Sequence, residues 1–363
     1  MLFAELETWT GRAVQRRRPY HFSAQPVPIR PVDEVKARPV CAQRQLDDGQ
    51  AQSATRAHRL STSLATSIVL THIQGLFMST STCTGNAPPP LPEIIEQDAS
   101  SAIREIYADI KRAQGAPLVN LIYRHLATIP GGLEWVWGSV STVWGYQRLQ
   151  KAAELLPIFD KMLVLPTSLW RIAGVSENNS FAIRALIEDY NSTNAVNILA
   201  ITALSQVLSR PELPAGKLQL AVPRTTGATE VRSGPPVPKL DSLAPDVLDL
   251  VLFANRIGEV QSPPMVASMF RHLAIWPGSL AVAAVLLLPM AETGRLQKLR
   301  QRTIAAAEII AAELVADAPN GFPALPEPTA RDHILEALDM FRTTLIAKML
   351  PVGQILKSAL ALE

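Results

Sequence analysis

Between Ala102 and Arg112 the apolar positions Ile103, Ile106, Tyr107 and Ile110 recur three and four residues apart, which is one face of a helix. Gln114-Gly115-Ala116 stops that pattern, and Pro117 suits the first turn of a second helix carrying Leu118, Leu121, Ile122 and Leu126 on one stripe. Pro130-Gly131-Gly132 breaks the periodicity again. A third helix follows over 133–151, and further ones are predicted over 152–172, 180–189 and 195–208, with Ser176 to Asn179 as a cap and turn. Beyond Asp246 the stripe Val247, Leu250, Val251, Ala254 and Ile257 opens a second helical series. It continues over 281–290 and 296–316, crosses a Pro-broken loop at 320–328, and ends in a helix over 331–362 interrupted at Pro351-Val352-Gly353. No alternating strand pattern stands out, so the expected fold class is all-α.

One stretch occurs twice. Pro117 to Leu133 reads PLVNLIYRHLATIPGGL and Pro264 to Leu280 reads PMVASMFRHLAIWPGSL. Aligned without a gap at an offset of 147 residues (264 − 117), nine of the seventeen positions are identical, including Arg124/Arg271, His125/His272 and Gly131/Gly278. Compositional bias does not produce so mixed a match, so the pattern implies an internal duplication. Two copies this far apart suit a pseudo-dimer of two helical halves rather than a solenoid. The stretch between the halves, 210–245, holds Pro211, Pro214, Pro223, Pro235, Pro236, Pro238 and Pro245, and is expected to be a linker without regular structure. The halves then span 78–209 and 246–363. Residues 1–77 have poor periodicity and clustered arginines (Arg16, Arg17, Arg18), and are expected to be a disordered leader or a non-native start ahead of Met78.

Composition narrows the class of protein. In 363 residues, 48% are hydrophobic and 18% charged, enough to bury a large core. The formal net charge of +2 favours neither nucleic acid nor an acidic partner. Cys41 and Cys83 both precede the repeat and neither staple it nor build a metal cluster, so no metal and no cofactor are expected. The most apolar run, Leu280 to Met290, is too short to span a bilayer, and the expectation is a soluble, cytoplasmic chain without membrane partners.

Two groups of residues could carry chemistry. Within the halves the histidines are His125, His272 and His333, and the first two share one position of the repeat. An inherited Arg-His helix edge explains them structurally; two imidazoles flanking a cleft would offer a general base near neutral pH. The second group is Asp189-Tyr190-Asn191-Ser192-Thr193-Asn194 with Asn197 beyond. Asn191 suits a helix cap, whereas Asn194 and Asn197 lie on one face further in, where buried amides need partners. Trp135 and Trp137 fit core packing.

The order of these motifs resembles the group I, non-stereospecific 2-haloacid dehalogenases, also labelled the halocarboxylic acid dehydrogenase family. The carriers are Arg124-His125-Leu126-Ala127-Thr128-Ile129-Pro130-Gly131, then Tyr190-Asn191-Ser192-Thr193-Asn194 leading to Ile201-Thr202-Ala203-Leu204-Ser205, then Ala267-Ser268-Met269-Phe270 running to Trp276-Pro277. The resemblance implies an all-helical pseudo-dimer with its site between the halves, where an Asp activates water that displaces halide from C2 of a 2-halo acid. It places the family's water-holding Asn at Asn194 and the Ser before the catalytic Asp at Ser268. Leu118, Leu121, Asn197, Phe341 and Leu345 fall on pocket positions.

The family's Asp is Met269 here. A thioether takes no proton from water, and general-base assistance is worth roughly 10²–10⁴-fold, so the family reaction is expected to be drifted or lost. His272, one turn beyond Met269, is the nearest substitute base. The expected ligand is a small carboxylic acid or 2-halo acid, with a homodimer left open. A non-catalytic acid-binding or structural helical protein is the alternative.

Overall fold

Ser100 caps the first helix, α1 (Ser101–Gln114): its hydroxyl accepts from the Ile103 amide at 3.3 Å, and Gly115 ends it in the left-handed region at φ 62°. Ile106, Tyr107 and Ile110 form its buried face, as their spacing requires. The computed structural model describes residues 91–159, 164–210, 215–218, 234–259, 265–318 and 321–360. The expected leader over 1–77 and both cysteines lie outside these residues. The chain divides into Met1–Asn86 and Ala87–Glu363, and the described residues all belong to the second unit.

Two short helices, α2 (Leu121–Leu126) and α8 (Ser268–Leu273), fall on the repeat and are themselves offset by 147 residues. Between them lie α3 (Gly132–Ser139), α4 (Tyr146–Ala153), α5 (Thr167–Ile172), α6 (Glu177–Leu208) and α7 (Pro245–Arg256). After them come α9 (Pro277–Glu292), α10 (Arg295–Ala316), α11 (Pro328–Met340) and α12 (Ile346–Ala359). The described residues are mostly helical, in keeping with the all-α expectation.

Several boundaries differ from the sequence reading, each for a physical reason. The stretch 133–151 is divided: Val140–Trp144 forms a wider π-helical turn after α3, and Gly145 at φ 70° starts α4 afresh. The helix expected over 152–172 is not continuous: among the described residues, those around Pro157 and those at 164–166 ahead of α5 are irregular. Conversely, the two helices expected over 180–208 are one helix of 32 residues. Ser192 and Thr193 do not break it, because their hydroxyls turn back and donate to the Asp189 carbonyl at 3.1 and 2.8 Å. Asn191 is therefore mid-helix and caps nothing. Pro351 and Gly353 do not interrupt α12; the irregularity falls earlier, in a π-helical turn at Phe341–Leu345. Ala215–Leu218, inside the expected linker, pairs in parallel with Phe322–Pro323, so that stretch holds a regular element after all. Further along the same stretch, Pro235 and Pro238 offer their carbonyls to buried side chains of α8.

The interior consists of two apolar clusters. One surrounds Trp137 and Leu199 and includes Leu314, Leu338 and Phe341; the other surrounds Phe270 and Ile187 and includes Trp170, Leu280 and Val352. Each draws on residues from both sides of 210–245. Helix α6 serves both, its first half in the second cluster and its last half in the first. Trp137 and Trp144 are core residues whose indoles find buried partners: Trp137 donates to Asp109 at 2.8 Å and Trp144 to the Leu314 carbonyl at 2.9 Å. Among the described residues no single helix is long and apolar enough to cross a membrane.

Candidate functional site

Where α2, α6, α8 and α12 meet, the chain buries polar groups that sequence spacing does not connect. Asn120, just ahead of α2, donates to Thr193 Oγ1 at 3.1 Å and to Asn194 Oδ1 at 3.3 Å. One turn beyond Asn194, Asn197 accepts from the Tyr123 hydroxyl at 2.8 Å and leaves its own Nδ2 without a hydrogen-bond partner. The Oδ1 of Asn120 is likewise unpartnered, as are both amide atoms of Asn191. An unpaired buried amide is costly, which makes this row of asparagines the most unusual polar feature of the interior.

Met269 is 1% exposed. Its methyl lies 3.0 Å from the point where a Cβ on Gly353 would sit, and the Oδ1 of Asn191 lies 1.9 Å from that same point. Gly353 thus lets α12 pass close enough to press Met269 and Asn191 together; any side chain there would collide with the amide. The amide beside Met269 is that of Asn191, a residue the sequence reading assigned to a cap. Asn194 accepts from Asn120. Leu118 shares the apolar cluster of Met269, while Leu121 and Phe341 belong to the other cluster and half-buried Leu345 touches both.

Ser268 and the repeated arginines form a second polar system. Arg124 donates through Nε to Glu93 at 2.6 Å, through NH2 to Ser268 Oγ at 2.9 Å, and through NH1 to the Val119 carbonyl. Arg271 donates through NH1 to the other oxygen of Glu93 at 2.8 Å, and through Nε and NH2 to the Pro238 carbonyl at 3.1 and 3.0 Å. The equivalent arginines of the two copies therefore meet on a single carboxylate. Burial alone would raise the Glu93 carboxyl, but the charges and hydrogen bonds of Arg124 and Arg271 outweigh it and hold the group below its ordinary value. Neither arginine lies on a polar helix edge: both are buried.

The two motif histidines have parted company. His125 is half-buried, with Nδ1 against the Pro92 carbonyl at 2.8 Å. His272 is 2% exposed, with Nε2 against the Pro235 carbonyl at 2.9 Å and Nδ1 against the Tyr190 hydroxyl at 2.8 Å. A carbonyl only accepts, so Nε2 carries the proton and Nδ1 accepts from Tyr190. A chain of donors thus runs from Tyr190 through His272 to Pro235. Burial pushes the imidazole down to about 4, with the Pro235 carbonyl opposing and the charge of Arg124 adding to the shift. Both ring nitrogens of His272, the base expected from the sequence, are thus engaged, and burial favours its neutral form.

The pH dependence this produces has a definite sign. A folded value near 4 against an ordinary 6.5 means that the unfolded chain binds the proton first. Stability is therefore complete above pH 6.5 and falls as the pH drops through the window down to about 4. A shift of this size corresponds to about 3 kcal/mol. Glu93 adds a separate loss that begins only below its ordinary 4.5. Urea unfolding across that window should give a slope that His272→Gln largely removes; equal slopes would sink the assignment.

The start of α8 is itself splinted. Asn255 donates to the Met265 carbonyl at 2.9 Å and accepts from the Ala267 amide at 3.0 Å, while its own carbonyl accepts from Lys348 at 2.7 Å. Lys348 also pairs with Glu259 at 3.2 Å. Sequence reasoning missed Asn255, Glu93, Asn120 and Tyr190 as partners. Asn120 stood inside the repeat, and identity of Arg124 and Arg271 in both copies was the one signal pointing to their shared ligand.

No family model and no curated protein matches the sequence. Solved structures do. A D-2-haloacid dehalogenase mutant is similar at 19% identity and TM-score 0.55, over 75% of this chain and 98% of that one. A mutant of such an enzyme in complex with D-2-CPA is similar at 18% identity and TM-score 0.56, over 76% and 99%. A D-2-haloacid dehalogenase complexed with L-LA matches at 18% identity and TM-score 0.56, over 75% and 98%. At this identity the likeness establishes the fold: the described unit has a haloacid dehalogenase-like, all-helical architecture.

Proposed function

We propose that this protein is a divergent relative of the haloacid dehalogenases that takes a small carboxylic acid between its two related halves, and whose hydrolytic step was lost with the carboxylate at position 269. The observation that carries this reading is the Met269 methyl packed beside the unpartnered Asn191 amide. A water-activating pair needs an acceptor at one side and an amide at the other; here the acceptor is a thioether. The order of motifs, the fold, and the matching offset of α2 and α8 support descent from an internally duplicated ancestor. A hydrolase that uses His272 instead is disfavoured by the Tyr190 and Pro235 bonds that occupy both ring nitrogens. A purely binding or structural role is the second reading, favoured by the burial of Met269 at 1% exposure within an apolar cluster.

The test offers each enantiomer of 2-chloropropionate separately, since the solved neighbours are D-2-haloacid dehalogenases. The unmodified protein should bind, seen as a rise in melting temperature, and release no halide. Met269→Asp shortens the side chain by one bond and brings carboxylate oxygens to about the depth of the sulfur, on the side of Asn191. An ionised group in that apolar setting costs on the order of several kcal/mol unless hydrogen-bonded, so the variant should be less stable and its carboxyl value raised. Halide release should then appear and grow toward alkaline pH, and Asn191→Ala in that background should remove it. A folded, substrate-binding Met269→Asp that releases nothing ends the dehalogenase reading. Brisk turnover by the unmodified protein would mean that position 269 is not where the base is missing, with His272→Ala the next variant.

A further inference from the structure

We infer that Arg124 and Arg271 form a built clamp for one small carboxylate, which Glu93 fills from within the chain. Each oxygen of Glu93 meets a different guanidinium, at 2.6 and 2.8 Å. The guanidiniums are oriented without its help. Arg124 is held by the Val119 carbonyl and by Ser268 Oγ, and Arg271 by the Pro238 carbonyl through two nitrogens. Their side chains are 5% and 7% exposed, against 18% for Glu93. The receptor is thus more buried and better fixed than its occupant, which is what a preorganised recognition site requires.

The occupant also comes from a different kind of element. Glu93 lies in irregular chain ahead of α1, tied down by the Ile94 amide on the Arg124 carbonyl at 3.0 Å and the Tyr107 hydroxyl on the Ile94 carbonyl at 2.8 Å. The clamp itself belongs to the two repeated helices. With two cations facing one anion, it keeps one unit of positive charge in a nearly dry site even when filled. The chemistry it recognises is a short monocarboxylate without a bulky substituent, such as formate or acetate.

The experiment is chemical rescue in the full chain. Glu93→Ala should lower the melting temperature, and sodium formate in the millimolar range should restore at least half of the loss, saturably. Sodium chloride at equal ionic strength should not. Glu93→Ala combined with Arg271→Gln should show no rescue, and the unmodified protein, its clamp already full, should show no formate-specific shift. Rescue by chloride alone, or the same formate response in the unmodified chain, overturns the proposal. If Glu93→Ala does not fold, helical circular dichroism is followed on adding formate: recovery supports the clamp, and no recovery at any formate concentration overturns it. Failure of the unmodified protein to bind 2-chloropropionate would overturn the acid-pocket reading and leave the clamp standing.

Discussion

Alanine at Gly278 is expected to cripple the fold, while the same change at the matching Gly131 is tolerated. A Cβ at Gly278 would stand 1.6 Å from the Ala173 carbonyl oxygen. That oxygen is backbone, so no rotamer change relieves the collision; α9 and the turn after α5 would have to separate. Overpacking a core typically costs about 1–3 kcal/mol, and a clash with main chain belongs at or above the top of that range. At Gly131 nothing stands within 4 Å of the added atom, and the burden is only its left-handed backbone at φ 70°. For a residue with a side chain that conformation costs about 1–2 kcal/mol. Urea midpoints of Gly278→Ala and Gly131→Ala give the comparison directly. Equal losses would show that helix packing around Ala173 is not as close as described.

Arg124→Met should be the most destabilising change of a charged residue among the ion pairs described. It strands Ser268 Oγ and the Val119 carbonyl, and removes one of the two cations on Glu93. Breaking one side of a buried ionic network typically costs about 3–5 kcal/mol. Arg184→Met supplies the contrast: its contact with Glu188 spans 3.6 Å between side chains that are 34% and 46% exposed, and such pairs contribute about 0–1 kcal/mol. Arg124→Lys keeps the charge but not the fork, so it should recover only part of the loss. Should Arg124→Met unfold at the same denaturant concentration as Arg184→Met, the arginine system is peripheral to stability.

The two glycines show how much was legible and where legibility stopped. They are identical in the two copies of the motif, yet one is required by backbone conformation and the other by a neighbour about a hundred residues away. Helix existence followed from local pattern: the stripe over Ile103 to Ile110 and the run 296–316, found as Arg295–Ala316, needed no tertiary information. Boundaries failed where a local signal was overruled. Asn191, Ser192 and Thr193 resemble a helix end in any window of ten residues, but packing on both apolar clusters carries α6 straight through them. Pro351 and Gly353 resemble a stop, but the close approach to Asn191 and Met269 needs a helix with no side chain at position 353.

By itself the sequence determined the helical class, the spacing of the repeated motif, and the absence of a carboxylate at position 269. All three are properties of residue type and short-range period, which the chain carries at every point. Tertiary structure alone decided that Asn191 and Met269 come together beside Gly353, that Glu93 joins Arg124 to Arg271, and that both ring nitrogens of His272 are engaged. Those facts depend on partners such as Gly353, Glu93 and Pro235, which no helical period relates to the motif. Hydrogen bonding and burial act across a few ångströms of space, whereas residue spacing informs only as far as the next turn of a helix.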